Sequence, residues 1–430
     1  MTSPPEPEPT WEAIWGSNTP EIPHTPLDDT VRRRHELPRT LLPTPEGLRS
    51  TAVFDPALKE FGRAFRAGEP RFADEASARD WHRARRTVLD TVLAAVADGP
   101  WADHLMLRGS VLMATWFGDA ARDPGDLDFV VVPQGWQLAD PRTAGLFDGI
   151  ARDAEAAARG GGAVRIDAGG RVTEDIWSYE RVPGRRMLLP WTAPGTAGGT
   201  VQLDLVFNEP LPAPPVPTRL RPLGDGPGCR LPAASPELSL AWKLLWLVSD
   251  FHPQGKDLYD AVLLAERTPP SYALVRDTFV RTGVDGLRPA GSWWTDTLRV
   301  AEGWEHFTAE YPWVEDDPDG YAARLASALA PLLAEAEPPG ETRYERWARW
   351  LEPLVESARA SSAPPADTLR HLAAGGWEGL LATVVIVREL AGRGTLDAQE
   401  ALRTVVDHHE SWRLWRENPE WWAAVLDELR

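Results

Sequence analysis

Gly109-Ser110, Asp126-Leu127-Asp128 and Asp204 constrain this chain more tightly than any other feature. His104 to Arg108 reads as a short strand that runs into the Gly-Ser turn. Val111 to Phe117 is apolar nearly all round, as a buried helix is. Side chains alternate faces along a strand, so Asp126 and Asp128 share one face and Leu127 and Phe129 take the other. In Val201 to Phe207 the same period puts Val201, Leu203, Leu205 and Phe207 together. Gln202, Asp204 and Val206 face the other way. The implied frame is strand, turn, helix, strand, then a later strand carrying one more carboxylate.

Each part has an ordinary explanation on its own. Asp126 and Asp128 suit a solvated strand end, Gly109-Ser110 suits a capped helix, and Asp204 suits a solvated face. Together they suit a specific chemistry. Two neighbouring carboxylates repel unless a cation lies between them, and hard oxygen ligands favour Mg²⁺. A glycine lets the backbone approach a phosphate, and the following helix offers N–H groups and the positive end of its dipole. The Ser110 hydroxyl adds a donor. A third carboxylate binds a second ion and accepts the proton of an attacking hydroxyl. This set points to two-metal nucleotidyl transfer.

The chain has 430 residues, beyond the size at which one core stops growing, which predicts two or three units. Residues 1–50 contain Pro-Pro-Glu-Pro-Glu-Pro and no sustained periodicity, which predicts a flexible leader. Residues 54–98 read as largely helical, with Val88, Leu89, Val92, Leu93 and Val96 on one face, and 142–158 as another helix. Val164–Ile166, Ile176–Glu180 and Arg186–Leu189 read as strands, the last two flanking a hairpin signal at Pro183-Gly184. Arg185 and Arg186, just past that signal, suit a solvated turn or a contact with substrate. Arg83, Arg85 and Arg86 suit a solvated helix end. Residues 208–234 read as an irregular connector. Helices are expected at 236–249, 257–266, 271–282, 294–310 and 319–336. Beyond the boundary at Pro338-Pro339-Gly340, Pro353 should kink a helix. Ser361–Pro365 reads as a linker, and helices near 377–392 and 396–426 finish the chain.

The net charge of −19 argues against non-specific coating of nucleic acid or an anionic membrane, and leaves room for a local basic groove. A single cysteine, Cys229, allows no intrachain disulfide and suits a reducing compartment. Met1 to Pro9 is polar, and Leu380 to Val387 is too short to span a bilayer. The expectation is a cytoplasmic protein. His408 and His409 are adjacent, so on a helix they point apart. The 21 tryptophans, many of them after residue 240, read as packing residues.

The motifs resemble the nucleotidyltransferase superfamily and, within it, the AbiEii/AbiGii toxin family of abortive-infection and type IV toxin–antitoxin systems. The matching residues are Leu107-Arg108-Gly109-Ser110 and Arg122 to Asp128. Further along come Lys243 on a helix and Lys256-Asp257-Leu258-Tyr259-Asp260, where Lys256 stands in place of the family's common Arg. The resemblance spans roughly residues 80–335. It implies an α/β (α+β) fold, with a small mixed sheet flanked by helices and followed by mainly helical regions. The implied organisation is a leader at 1–50, a catalytic core at 51–234, a helical domain at 235–337 that completes the active site, and a helical block at 338–430. It implies that Gly109, Ser110, Arg122 and Lys243 bind nucleotide and that Asp126, Asp128 and Asp204 hold two Mg²⁺ ions. Lys243 and Asp257 join them as catalytic residues. The implied reaction moves an NMP from an NTP to an acceptor hydroxyl, at tRNA 3′ ends in toxins that inhibit growth, with a cognate antitoxin as partner. Protein or small-molecule acceptors, and a non-catalytic nucleotide-binding defence module, are the alternatives.

Overall fold

The computed structural model describes residues 9–12, 21–178, 182–226, 228–250, 253–298, 304–315, 317–361, 369–408 and 410–430. Residues 1–8 and 13–20 of the leader, Tyr179 and Glu180 of the expected strand, most of the Ser361–Pro365 linker and His409 lie outside them. The chain divides into two units, one of residues 1–209 and 215–235, the other of 210–214 and 236–430.

Among the described residues, ten strands build the first unit. They are β1 (Ala52–Phe54), β2 (Phe65–Ala67), β3 (Leu105–Arg108), β4 (Asp126–Val131), β5 (Arg165–Ile166), β6 (Val172–Ser178), β7 (Val182–Thr192), β8 (Gly199–Val206), β9 (Val216–Arg219) and β10 (Arg230–Ala233). β1 and β2 form a two-stranded ribbon. The other eight form a mixed sheet of order β5-β7-β8-β4-β3-β10-β9, with β6 also on β7. β4 pairs with β8 and β10 with β3 in parallel, and the remaining pairs are antiparallel.

Alternation dictates how this sheet is buried. Leu127, Phe129, Leu203, Leu205 and Met187 are all fully buried. The helices Glu75–Asp98 and Pro141–Gly161 belong to the same unit. Asp74 caps the first, accepting from the Ser77 N–H at 2.9 Å, and Asp140 with Pro141 starts the second. Trp81 of the first helix packs against Trp191 of β7 at 5.5 Å between ring centroids. The apolar face of this helix matches its sequence pattern, since Val88, Leu89, Val92, Leu93 and Val96 are all buried.

Several local expectations fail for identifiable reasons. Residues 21–50, read as flexible leader, carry a helix at Asp29–Arg34 capped by Asp28. Trp11, Ile22, Leu27, Leu37, Leu41 and Ala52 cluster in a small core of their own. Scattered apolar residues without a period can pack irregularly, and a pattern search does not see them. Residues 54–74 are not helical: Pro56, Gly62, Gly68 and Pro70 break the chain into the β1–β2 ribbon and a short 3₁₀ turn. The hairpin exists, but Pro183 and Gly184 lie inside β7, paired with Trp177 and Ile176. Gly184 is needed there because a Cβ would sit 2.9 Å from the Leu205 carbonyl oxygen. The 208–234 connector contains β9 and β10.

The second unit is helical. Its helices include Pro236–Ser249, Gly255–Arg267, Tyr272–Arg281, Pro318–Ala336, Arg343–Trp350, Glu352–Ala360, Gly376–Ala391, Ala398–His408 and Pro419–Glu428. Pro353 separates two helices at Leu351 rather than kinking one. The stretch expected as a single helix at 396–426 is interrupted, with Asn418 capping the last piece. The 294–310 stretch likewise appears as Trp294–Thr297 and Trp304–Glu310. Phe279 stacks on Trp294 at 4.9 Å, and the Trp350 indole N–H donates to the Gly286 carbonyl at 2.9 Å. These tryptophans are core residues. No described helix is long and apolar enough to cross a membrane.

Candidate active site

The strand pairing brings the three sequence-predicted carboxylates to one side of the sheet. Asp126 is registered with Gln202, and Asp128 with Asp204, across the parallel β4–β8 pair. Residues in register point to the same face, so Asp126, Asp128, Gln202 and Asp204 lie together. Arg108 at the end of β3 is registered with Asp128 and leads directly into the Gly-Ser turn.

That turn is built against the carboxylates. Gly109 caps the helix Ser110–Phe117 with φ +83° and ψ −152°. A Cβ on Gly109 would fall 2.5 Å from Asp128 Oδ2. The backbone therefore fits here only with a residue that has no side chain and tolerates positive φ. Ser110 is buried, and its Oγ lies 3.4 Å from Asp126 Oδ1. The N–H groups of Ser110 and Val111 open the helix here without an intrahelical acceptor, while the Leu112 N–H donates to the Gly109 carbonyl at 3.2 Å. Arg122, expected as a nucleotide contact, is buried in the loop before β4.

Asp204 is partnered by a buried arginine. Arg186 of β7 is in register with it, and Nε and Nη2 donate to the two carboxylate oxygens at 2.9 and 2.8 Å. Gln202 Nε2 donates to Oδ2 of the same carboxylate at 3.1 Å. Arg186 Nη1 donates to Asp55 Oδ2 at 2.7 Å. Arg186 is only 3% exposed. Burial works against its charge, but Asp204 and Asp55 outweigh burial and hold the guanidinium well above its ordinary range. Burial pushes the Asp204 carboxyl up. Arg186 opposes that shift, while Asp126 and Asp55 add to it. Burial also acts to raise Asp55, and there Arg186, Arg66 and the Ala57 N–H prevail, bringing it to about 2.

As a ligand set, Asp126 and Asp128 fit a divalent ion as a pair. They share a face, with a glycine cradle against one and a hydroxyl beside the other. Both oxygens of Asp204 are taken by Arg186. Among the described residues no group of three His, Cys, Asp or Glu side chains is spaced to hold a metal ion.

The other predicted residues lie in the second unit. Lys243 is in the helix Pro236–Ser249 and Asp257 in the helix Gly255–Arg267. Lys243 Nζ donates to Asp257 Oδ1 at 2.7 Å and lies 3.0 Å from Asp260 Oδ2. The three are 5%, 1% and 0% exposed. Asp257 is thus an interior ion-pair partner and not a helix cap, and Asp260 is not on the helix surface.

Arg186 and Asp55 carried different amounts of signal. An arginine in the apolar run Arg186-Met187-Leu188-Leu189 is costly to bury without a carboxylate, a signal that the reading of Arg186 as a solvated turn or substrate contact passed over. Asp55 carried no signal, because its pairing spans 131 residues. Of the helix-end arginines, Arg85 is buried, with Nη1 2.8 Å from both Glu69 oxygens.

No curated protein matches the chain by sequence. Among solved structures it is similar to MenT4, a nucleotidyltransferase toxin from Mycobacterium tuberculosis H37Rv. That match has 17% identity and a TM-score of 0.43, and covers 64% of this chain and 89% of that one. The model of the nucleotidyl transferase AbiEii toxin family, type IV toxin–antitoxin system, matches residues 91–368, more than half of the chain, a span that holds Gly109, Ser110, Asp126, Asp128, Asp204, Lys243 and Asp257 but not Asp55. On that match the chain belongs to the AbiEii nucleotidyltransferase toxin family.

Proposed function

We propose that this nucleotidyltransferase moves a nucleoside monophosphate from an NTP to an acceptor hydroxyl at a centre built on Asp126 and Asp128, with Mg²⁺ as the divalent ion. The observation that carries this reading is the fit of Gly109 against Asp128, with Ser110 beside Asp126. A phosphate approaching that turn meets backbone N–H groups and a hydroxyl next to the carboxylates that would hold the ion. Bound there, Mg²⁺ would neutralise charge on the reacting phosphate. The chain's own part is to fix the triphosphate on Gly109 and Ser110 and to orient it. The acceptor hydroxyl then attacks the α-phosphorus in line, and pyrophosphate leaves. Asp204 is proposed to take the hydroxyl proton at Oδ1, which accepts the Arg186 Nε–H at 2.9 Å and keeps a second lone pair.

Arg122 is proposed as a further nucleotide contact. Lys243 and Asp257 are proposed to act as a unit with Asp260. For Lys243 to neutralise a phosphate, one of its two carboxylates has to yield.

The family favours tRNA 3′ ends as acceptor, growth inhibition as outcome and a cognate antitoxin as partner. The net charge of −19 favours a second reading, in which a protein hydroxyl or a small molecule accepts the nucleotide. Incubation with labelled NTPs, Mg²⁺, total tRNA and cell protein separates these readings. Label on RNA supports the first and label on protein the second. Nucleotide binding without transfer in every combination would leave a non-catalytic defence module.

A further inference from the structure

Arg186 meets two carboxylates with all three of its guanidinium nitrogens. Nε and Nη2 take both oxygens of Asp204, and Nη1 takes Asp55. Asp55 is itself pinned, since its Oδ1 accepts the Ala57 N–H at 3.0 Å as the cap of a short 3₁₀ turn, and Arg66 lies 3.8 Å from Oδ2. The side chain of Arg186 has little freedom to swing away, because it is buried and its Nη1 bond reaches a carboxylate fixed by the backbone. Planar bidentate pairing of this kind is the strongest arrangement an arginine makes with a carboxylate. A metal ion on Asp204 would have to displace that fork and leave Arg186 buried with Asp55 as its one remaining carboxylate.

We propose that Arg186, set in place by Asp55, is the resident cation at Asp204, so that this face of the sheet takes one divalent ion, on Asp126 and Asp128, where a two-metal centre would take two. Arg186 is then a positioning residue. It holds Asp204 beside Asp128 without a second ion and supplies positive charge that a second ion would otherwise bring. This inference rests on the transferase reading and narrows it.

The test counts ions. The full chain is titrated with Mn²⁺ alone, and free Mn²⁺ is followed by electron paramagnetic resonance. The variants are Arg186→Gln and Asp55→Asn/Arg186→Gln. The double variant keeps the net charge of the Asp55–Arg186–Asp204 group at −1, so it guards against a single variant that fails to fold. The expected result is one Mn²⁺ per wild-type chain and two in the double variant. The second should disappear when Asp204→Asn is added. Its arrival should also raise the thermal midpoint of the double variant more than that of the wild type. Two ions in the wild type, or equal counts in both proteins, would overturn the inference. A wild type that transfers nucleotide yet binds two ions keeps the transferase reading and loses this one. A chain that binds no Mn²⁺ and transfers nothing loses both.

Discussion

Gly109→Ala puts the geometry of the site to a quantitative trial. The added Cβ would sit 2.5 Å from Asp128 Oδ2 and 3.3 Å from its Cβ and Cγ, whereas ordinary contact begins at 3.4 Å. The carboxylate oxygen must retreat by about 0.9 Å, and a displacement of about 1 Å of a reacting group costs on the order of 100-fold in rate, or about 2.7 kcal/mol on the barrier. Separately, φ +83° with ψ −152° is a glycine region, so alanine there costs about 1–3 kcal/mol of stability. Gly118→Ala isolates the second effect. Gly118 has φ +57° and ψ −126°, and its Cβ would meet only Arg221 Nη1, the end of a flexible side chain, at 2.8 Å. Both variants should melt lower than the wild type, yet only Gly109→Ala should lose transfer by about 100-fold, measured as initial rates of labelled-NMP incorporation. If Gly109→Ala is folded and stays within about threefold of Gly118→Ala, the turn is not built for Asp128.

Asp55→Asn should lower unfolding free energy by about 2 kcal/mol near neutral pH, because Asp55 is held at about 2 against an ordinary 3.8. A lowered folded-state pKa stabilises above the unfolded value and is lost as pH falls through the folded one. The gap between variant and wild type should therefore close between pH 4 and pH 2 in chemical denaturation curves. Lys243→Met leaves Asp257 and Asp260 buried without their cation and should destabilise the second unit by about 3–5 kcal/mol. Lys243→Met/Asp260→Asn should recover part of that loss in thermal melts. An equal midpoint for Lys243→Met and wild type would argue that water reaches the group.

The core of the site was legible in the sequence because its information is local. Period-2 alternation gave the shared face of Asp126 and Asp128, and glycine before an apolar helix gave the turn. The β4–β8 register then brought Asp204 beside Asp128, as the spacing of polar residues in two apolar strands suggested. Arg186 read as a solvated turn or a substrate contact, and its pairing with Asp204 emerges only from the tertiary fold. Asp55 was invisible, since it fell at the start of a stretch that reads as helical and its partner lies 131 residues away. The same limit applied to Lys243. Its apolar surroundings signalled burial, but the pairing with both Asp257 and Asp260 depends on how two helices face each other. The leader failed for another reason. Its apolar residues, Trp11, Ile22, Leu27, Leu37 and Leu41, follow no period and pack through irregular chain.

Asp126 and Asp128 are proposed to support nucleotide transfer to an acceptor hydroxyl, with an RNA 3′ end as the acceptor the family favours. The most direct measurement supplies α-labelled NTPs and Mg²⁺ to the wild type and to Asp128→Asn, with intact tRNA and with tRNA whose 3′ ends have been oxidised by periodate. Label should appear on intact tRNA with the wild type alone, and on oxidised tRNA with neither protein. Equal labelling by Asp128→Asn would contradict the account.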